Sequence, residues 1–164
     1  MENNSLDKAQ KIYQHFPEQF QSIILSTVND QGIPHVSYAP FVMDEAKNLY
    51  ILASDLATHT QHLRNSGKAS VLFIAEESQT QQIFARTRLT FDCTVTLIER
   101  QTKQWDVMVD HLQARFGEIV GVLRGLMDFH LFQLTPHQGQ FVLGFGQAYR
   151  ITGEQLDVLT LQQK

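Results

Sequence analysis

The sequence predicts a mainly β protein with a few helices, an α+β chain folded as one antiparallel barrel. Three observations carry that prediction. Seven separate stretches between Ser22 and Ile151 read as strands, with period-two alternation after Ser22 and strictest in the longest of them. Several of these stretches are joined by short turns, which implies antiparallel neighbours. Helical spacing is confined to three segments, without the regular βαβ alternation of a doubly wound sheet. The predicted order is helix, three strands, helix, two strands, helix, two strands.

Residues 5–16 place Leu6, Ala9, Ile12, Tyr13 and Phe16 at helical spacing, and Pro17 interrupts the run. "SIILSTVNDQGIPHVSYAPFV" reads as strand, turn and strand, with Asp30-Gln31-Gly32 supplying the turn. In its second half His35, Ser37, Ala39 and Phe41 face one way, and Val36, Tyr38, Pro40 and Val42 the other. Pro40 lacks an N–H, which places that end at an edge or bulge. "NLYILAS" is a third strand. "DLATHTQHLRNSGK" follows as a helix with Leu56, His59 or Thr60, and Leu63 along one side, ended by Asn65 to Gly67. "ASVLFIA" is a fourth strand. Arg86 to Arg100 reads as the longest strand, Leu89, Phe91, Cys93, Val95 and Leu97 alternating with Arg88, Thr90, Asp92, Thr94 and Thr96. Trp105 to Leu123 carries the clearest helical period, with a break near Gly117 or Gly121. "MDFHLFQLTP" and "GQFVLGFGQAYRI" close the chain as two strands around a turn at Pro136–Gly139.

At 164 residues the chain has the size of one domain, residues 1–164, with an N-terminal helical region over 1–20 and a tail over 153–164. A net charge of −4 argues against a phosphate-backbone footprint and hence against nucleic acid as partner. No stretch approaches the roughly 20 apolar residues of a membrane span, and "MENNSLDKAQKIY" lacks the pattern of a signal peptide. A single cysteine, Cys93, excludes an internal disulfide framework. The expected compartment is the cytoplasm. A charged fraction of 18% beside 43% hydrophobic residues leaves room for a subunit interface.

Arg86 and Arg88, two apart on the polar face of the long strand, have the forked donors that grip a carboxylate or phosphate; a solvated face or an ion pair with Asp92 is the plain alternative. Asp128 and His130 share a face and are either a proton-handling pair or a satisfied hydrogen-bond couple. His59 and His62 lie three apart on the short helix, without a glutamate or a third ligand for zinc, so no metal site is expected. Cys93 faces inward as a buried thiol. "GFGQAYRI" opens no helix after a strand, so its Gly-x-Gly is no dinucleotide loop. It reads as the last barrel strand, with Gly144, Gly146 and Ala148 on a small-residue face and Phe145, Gln147 and Tyr149 opposite.

The blocks "GIPHVSYAPFV", "LYILASDLATHTQHL", "FARTRLTFD", "RFGEIVGVLRGLMDFHLFQL" and "GFGQAY" together resemble the HugZ/HutZ-type haem-utilisation family. That family lies within the pyridoxamine 5′-phosphate oxidase-like split β-barrel superfamily. The resemblance runs from about residue 20 to about 158. It implies an antiparallel split β-barrel homodimer with ligand clefts at the subunit interface, and haem as a ligand that is bound and degraded by oxygenation. It also implies catalytic roles for Arg88 and Asp128. Contacts to the bound group are expected from His35, Ser37, Ser54, Thr58, His59, Arg86, Arg88 and Gln147. Haem-degrading members carry an iron-ligating histidine in a C-terminal Gly-His element, whereas here no histidine follows His137. A non-catalytic haem carrier is therefore one alternative. An FMN-binding oxidoreductase on the same fold is another, although histidines at 35 and 59 stand where that branch holds cations for the flavin phosphate.

Overall fold

The computed structural model describes residues 2–163. Helix α1 (Glu2–His15) runs into a 3₁₀ turn (Phe16–Gln19) that tolerates Pro17 in its first positions. Strands β1 (Ser22–Val28), β2 (Pro34–Pro40), β3 (Val42–Met43) and β4 (Leu49–Ser54) precede helix α2 (Thr58–Ser66). Then come β5 (Lys68–Ile74), β6 (Arg88–Ile98), helices α3 (Lys103–Phe116) and α4 (Glu118–Leu123), β7 (Phe129–Gly144), β8 (Gln147–Thr152) and β9 (Val158–Leu161).

All pairings are antiparallel. They form one nine-stranded sheet in the order β2-β1-β5-β6-β7-β4-β3, from which β8 and β9 branch off β7. The sheet curls until β2 lies beside β4 without pairing to it, so the barrel stays open there. This is the split barrel that the resemblance implied.

Period-two alternation explains the core. Ile23 and Leu25 of β1, Val71 and Phe73 of β5, Leu89 and Phe91 of β6, and Phe141 of β7 are all buried inside the barrel, closed by Tyr13 and Phe16 of the N-terminal segment. A second cluster lies on the outside of β4, β6 and β7. There Trp105, Met108, Val109 and Leu112 of α3, with Val120 of α4, pack on Tyr50, Ile98 and Leu131. The helix breaks at Gly117, whose φ of +84° is open to glycine and strained for other residues.

Four sequence expectations need correction. The longest strand is β7, with 16 residues, and it passes straight through Pro136–Gly139 where a turn was expected. Pro136 is tolerated because the β6–β7 register shifts between Asp92 and Cys93, a bulge that relieves the ladder where proline cannot donate. β6 begins at Arg88, so Arg86 lies outside it, at the end of a 3₁₀ turn (Ile83–Ala85). The real turn is in "GFGQAYRI": Gly144 ends β7, Gly146 takes φ +67°, and Gln147 starts β8, so Gly146 belongs to no strand face. Leu56 precedes α2 and is 93% exposed, leaving His59, Thr60 and Leu63 as the helix's buried side. Beyond these, β9 occupies part of what was read as a tail.

Gly139 is required by close approach. A Cβ there would lie 2.4 Å from the Thr90 carbonyl oxygen and 2.7 Å from Cδ1 of buried Phe91, and neither neighbour has room to move. Gly144 has nothing nearer than a flexible Gln147 side-chain atom at 3.8 Å. Overpacking of this kind costs about 1–3 kcal/mol. In thermal denaturation Gly139→Ala should lower the Tm by about 4–10 °C, and Gly144→Ala by less than about 2 °C. Equal shifts would mean that the contact at Gly139 does not limit the ladder.

Candidate functional site

The candidate residues fall into two groups at opposite ends of β7. The first gathers around α2, which closes one mouth of the barrel and packs on β1, β4 and β6. β1 and β2 point Thr27, His35 and Ser37 inward at that mouth, continuing the face of Ile23 and Leu25. α2 answers with two imidazoles. His59 Nδ1 bonds Ser37 Oγ at 2.8 Å, and His62 Nδ1 bonds Thr27 Oγ1 at 3.0 Å. The His35 and His62 rings meet edge to face, 5.6 Å between centroids. Burial, with His35 and His62 adding repulsion, holds the His59 imidazole below its ordinary value.

The turn that leads from β4 into α2 joins this cluster to the start of β7. The Ser54 carbonyl accepts from Thr60 Oγ1 at 2.5 Å, and Ser54 Oγ donates to Asp128 Oδ2 at 3.2 Å. The Asp128 carbonyl accepts the Asp55 N–H at 2.8 Å. Asp128 is thus fixed by its backbone and by one carboxylate oxygen, while Oδ1 makes no hydrogen bond among the described residues. It sits one residue before β7 rather than on it, and His130 has a different partner. His130 Nε2 lies 2.9 Å from Asp55 Oδ1. The contact with His130, and behind it Arg64 at 3.5 Å, holds the Asp55 carboxyl below the usual range. Thr58 begins α2 and is exposed, without a side-chain bond among the described residues.

The second group lies where β5, β6, β7 and β8 end together. Arg88 pairs across to Ile74 and Val142, and its only side-chain hydrogen bond among the described residues runs from Nη1 to the Arg86 carbonyl at 3.0 Å. Its remaining donors are uncommitted. Arg86 is spent on structure, Nε donating to the Ala75 carbonyl at 2.6 Å and Nη1 reaching Glu77 at 3.2 Å. The ion pair with Asp92 does not form; Asp92 accepts from Ser70 and Gln138 instead. Gln147 is exposed at the base of the β7–β8 hairpin. From Phe129 to Val142 the strand runs roughly 40 Å along its path at about 3.3 Å per residue. One copy of the chain therefore does not bring Arg88 and Asp128 together.

Cys93 is buried, and burial, with Asp92 nearby, pushes its thiol up to about 12, which leaves it inert at neutral pH. No cluster of three or more His, Cys, Asp or Glu among the described residues is placed to hold a metal ion. A cavity of about 690 Å³ contains none of the candidate residues; it opens beyond the other end of β2, among Tyr13, Phe41, Lys47, Phe91, His111 and Arg115. Sequence reasoning missed Thr27, Asp55 and the seat of His62. Thr27 had a readable signal, a polar residue at an inward position of an otherwise apolar alternation. Asp55 had only its place in a Ser-Asp pair before a helix.

Comparison with known proteins fits this arrangement. Residues 9–143 match the family model of pyridoxamine 5′-phosphate oxidase. The chain is 42% identical over 141 residues to the heme oxygenase HutZ of Vibrio cholerae, covering 86% of this chain and 80% of that protein. A crystal structure of HutZ from the same organism, described as a heme storage protein, superposes with a TM-score of 0.74 at 39% identity, over 79% of this chain and 91% of that one. Campylobacter jejuni ChuZ superposes with a TM-score of 0.82 at 29% identity, over 95% of this chain and 63% of that one. No helix among the described residues is long and apolar enough to cross a membrane. With the split barrel, a family match across most of the chain and this degree of identity to HutZ, the chain belongs to the HutZ-type branch of the pyridoxamine 5′-phosphate oxidase family.

Proposed function

We propose that this protein binds haem and degrades it by oxygenation, working as a homodimer with its ligand sites between the subunits. The observation that carries the reading is the 42% identity to a heme oxygenase, spread over 86% of the chain. The separation of Arg88 from Asp128 supports the dimer, because a two-fold axis sets one end of a strand in one copy against the other end in its mate. An apolar face is also available for such a contact. Val36 and Tyr38 on edge strand β2 are 67% and 69% exposed, and Ile24 beside them on β1 is 38% exposed.

The residues divide the work by charge. Haem presents an apolar macrocycle and carboxylates, and supplies the iron at which oxygen is activated. Arg88, with uncommitted donors on a guanidinium that stays charged, pairs with a propionate. Asp128 is anchored through Oδ2 by Ser54 and offers Oδ1 to a water or an imidazole N–H near the reacting centre. Ser37 and His59 satisfy each other and shape the wall of the mouth, with His35 beside them. Arg86 braces the segment that presents Arg88, and Gln147 stands at the same end. Cytoplasmic haem is the substrate consistent with this chemistry.

FMN fits these residues poorly. The α2 mouth offers its phosphate chiefly imidazoles, and burial works against the charged form of His59, which weakens its hold on a dianion. No step is assigned to a flavin. The carrier reading draws on the description of the HutZ crystal structure as a heme storage protein. It differs from the enzyme reading in one result, the fate of haem under reductant and oxygen.

Titration of the purified protein with haemin should give a saturable Soret band, with affinity at least about tenfold above that for FMN, a gap of about 1.4 kcal/mol. Adding ascorbate in air should then bleach the band; a stable band identifies a carrier, and saturable FMN binding without a Soret change overturns the haem reading. Asp128→Asn should slow bleaching at least about tenfold while the haemin Kd stays within about threefold, since it removes charge at the reacting centre and little binding area. Equal loss of both would make Asp128 structural.

A further inference from the structure

The segment that carries Asp128 has little to hold it. After α4 the chain turns through Gly125, Leu126 and Met127, and the last two side chains are 43% and 75% exposed, so burial does not fix the turn. Its own backbone bonds are few: Gly125 N–H to the Val122 carbonyl, Leu126 N–H to that of Leu123, and a long 3.4 Å contact from Phe129 N–H to that of Leu126.

One side chain from outside closes the account. Arg100, just past the end of β6, donates from Nη1 to the Arg124 carbonyl at 2.8 Å. Its Nη2 donates to the carbonyls of Leu126 at 2.5 Å and Phe129 at 2.9 Å. These three carbonyls bracket Asp128 on both sides. Its Cζ lies over the ring of Trp105, 4.9 Å from the centroid, and Trp105 is 6% exposed in the α3 core. Arg124 approaches the same ring at 5.6 Å and is tied to Asp110 at 2.7 Å and Gln113 at 2.9 Å of α3.

We infer that Arg100 is a positioning residue for Asp128. Trp105 orients the guanidinium, the guanidinium fixes the Arg124–Phe129 turn, and the turn holds Asp128 where Ser54 and Asp55 meet it. A planar cation with donors in a fixed fork spans three carbonyls; a lysine ammonium, a compact point charge, does not reproduce the span. The catalytic part of the inference rests on the haem reading above, whereas the placement of Asp128 does not.

The test uses Arg100→Met, which keeps length and packing on Trp105 but removes the donors, and Arg100→Lys, read in the same way if the first fails to fold. In the ligand-free protein, hydrogen exchange of the Asp55, Leu126 and Phe129 amides should speed up at least about tenfold, while β6–β7 ladder amides stay within about twofold. Unchanged exchange at the turn, or loosening of the whole ladder in both variants, overturns the inference. With haemin, bleaching should slow at least about tenfold with Kd within about threefold, and Arg100→Met combined with Asp128→Asn should bleach no more slowly than Asp128→Asn alone. Additive losses in the double variant overturn the role through Asp128. If the unsubstituted protein fails to bleach haemin, the enzyme reading falls, and the exchange pattern still decides whether Arg100 places Asp128.

Discussion

The pairing of β6 with β7 is the constraint on which the rest of the molecule depends. The ladder runs from Arg88–Val142 to Ile98–Leu131, and β7 also carries β4 on the far side of its first half and β8 on that of its second. A ladder this long twists and bends, and two local features permit it here. The register shift opposite Pro136 absorbs one residue of β7, and glycine at 139 lets the two backbones close over Phe91. Without either, the strand is forced apart in the middle of the core, and both ends of the site lose their common ruler.

That ruler sets the distance between the two chemically active ends. At the first, α2 seals the barrel with polar contacts instead of apolar ones. Thr27, His59 and Thr60, the polar residues buried among those described, all lie in its seat. All three are hydrogen-bonded, Thr27 with His62 and His59 with Ser37 across the mouth and Thr60 to the Ser54 carbonyl of the turn, so the polar groups are buried at little net cost. The same turn receives Asp128, so hydrogen bonds tie the helix, the aspartate and the histidines together. At the second end Arg88 is left with donors to spare because Arg86 takes the structural bonds of that corner.

Much of this was legible in the sequence. Strict alternation in Leu89–Val95 located β6 and its inward face, and helical spacing from Trp105 located α3, with the break at Gly117 among the two positions that glycine allows. The resemblance blocks pointed to the family. What misled was local chemistry under a nonlocal constraint. Pro136 and Gly139 look like a turn by composition, yet they answer to Phe91 and to a bulge on a partner strand more than 40 residues away. The Gly-x-Gly of residues 144–146 reads as a strand by alternation and is a hairpin, because Gly146 takes a positive φ that alternation does not reveal. Asp128 and His130 read as a couple on one face, but each has its own partner, Ser54 and Asp55, across a strand pairing that no spacing rule exposes.

The division of charge between the two ends also bears on ligand choice. A charge-assisted bond from a guanidinium contributes about 1.5–3 kcal/mol, whereas a neutral hydrogen bond contributes about 0.5–1.5 kcal/mol. At the α2 mouth His59 offers a compact dianion the weaker kind, because adding a proton to it works against burial and against two neighbouring imidazoles. A ligand with separated single carboxylates and a broad apolar body asks for less: one cation at a sheet end and apolar surface between. Arg88, beside the hairpin where Phe145 is 67% exposed, meets that demand. Under the haem reading proposed above, Arg88 thus supplies the charge-assisted bond to a propionate and the α2 mouth supplies neutral ones.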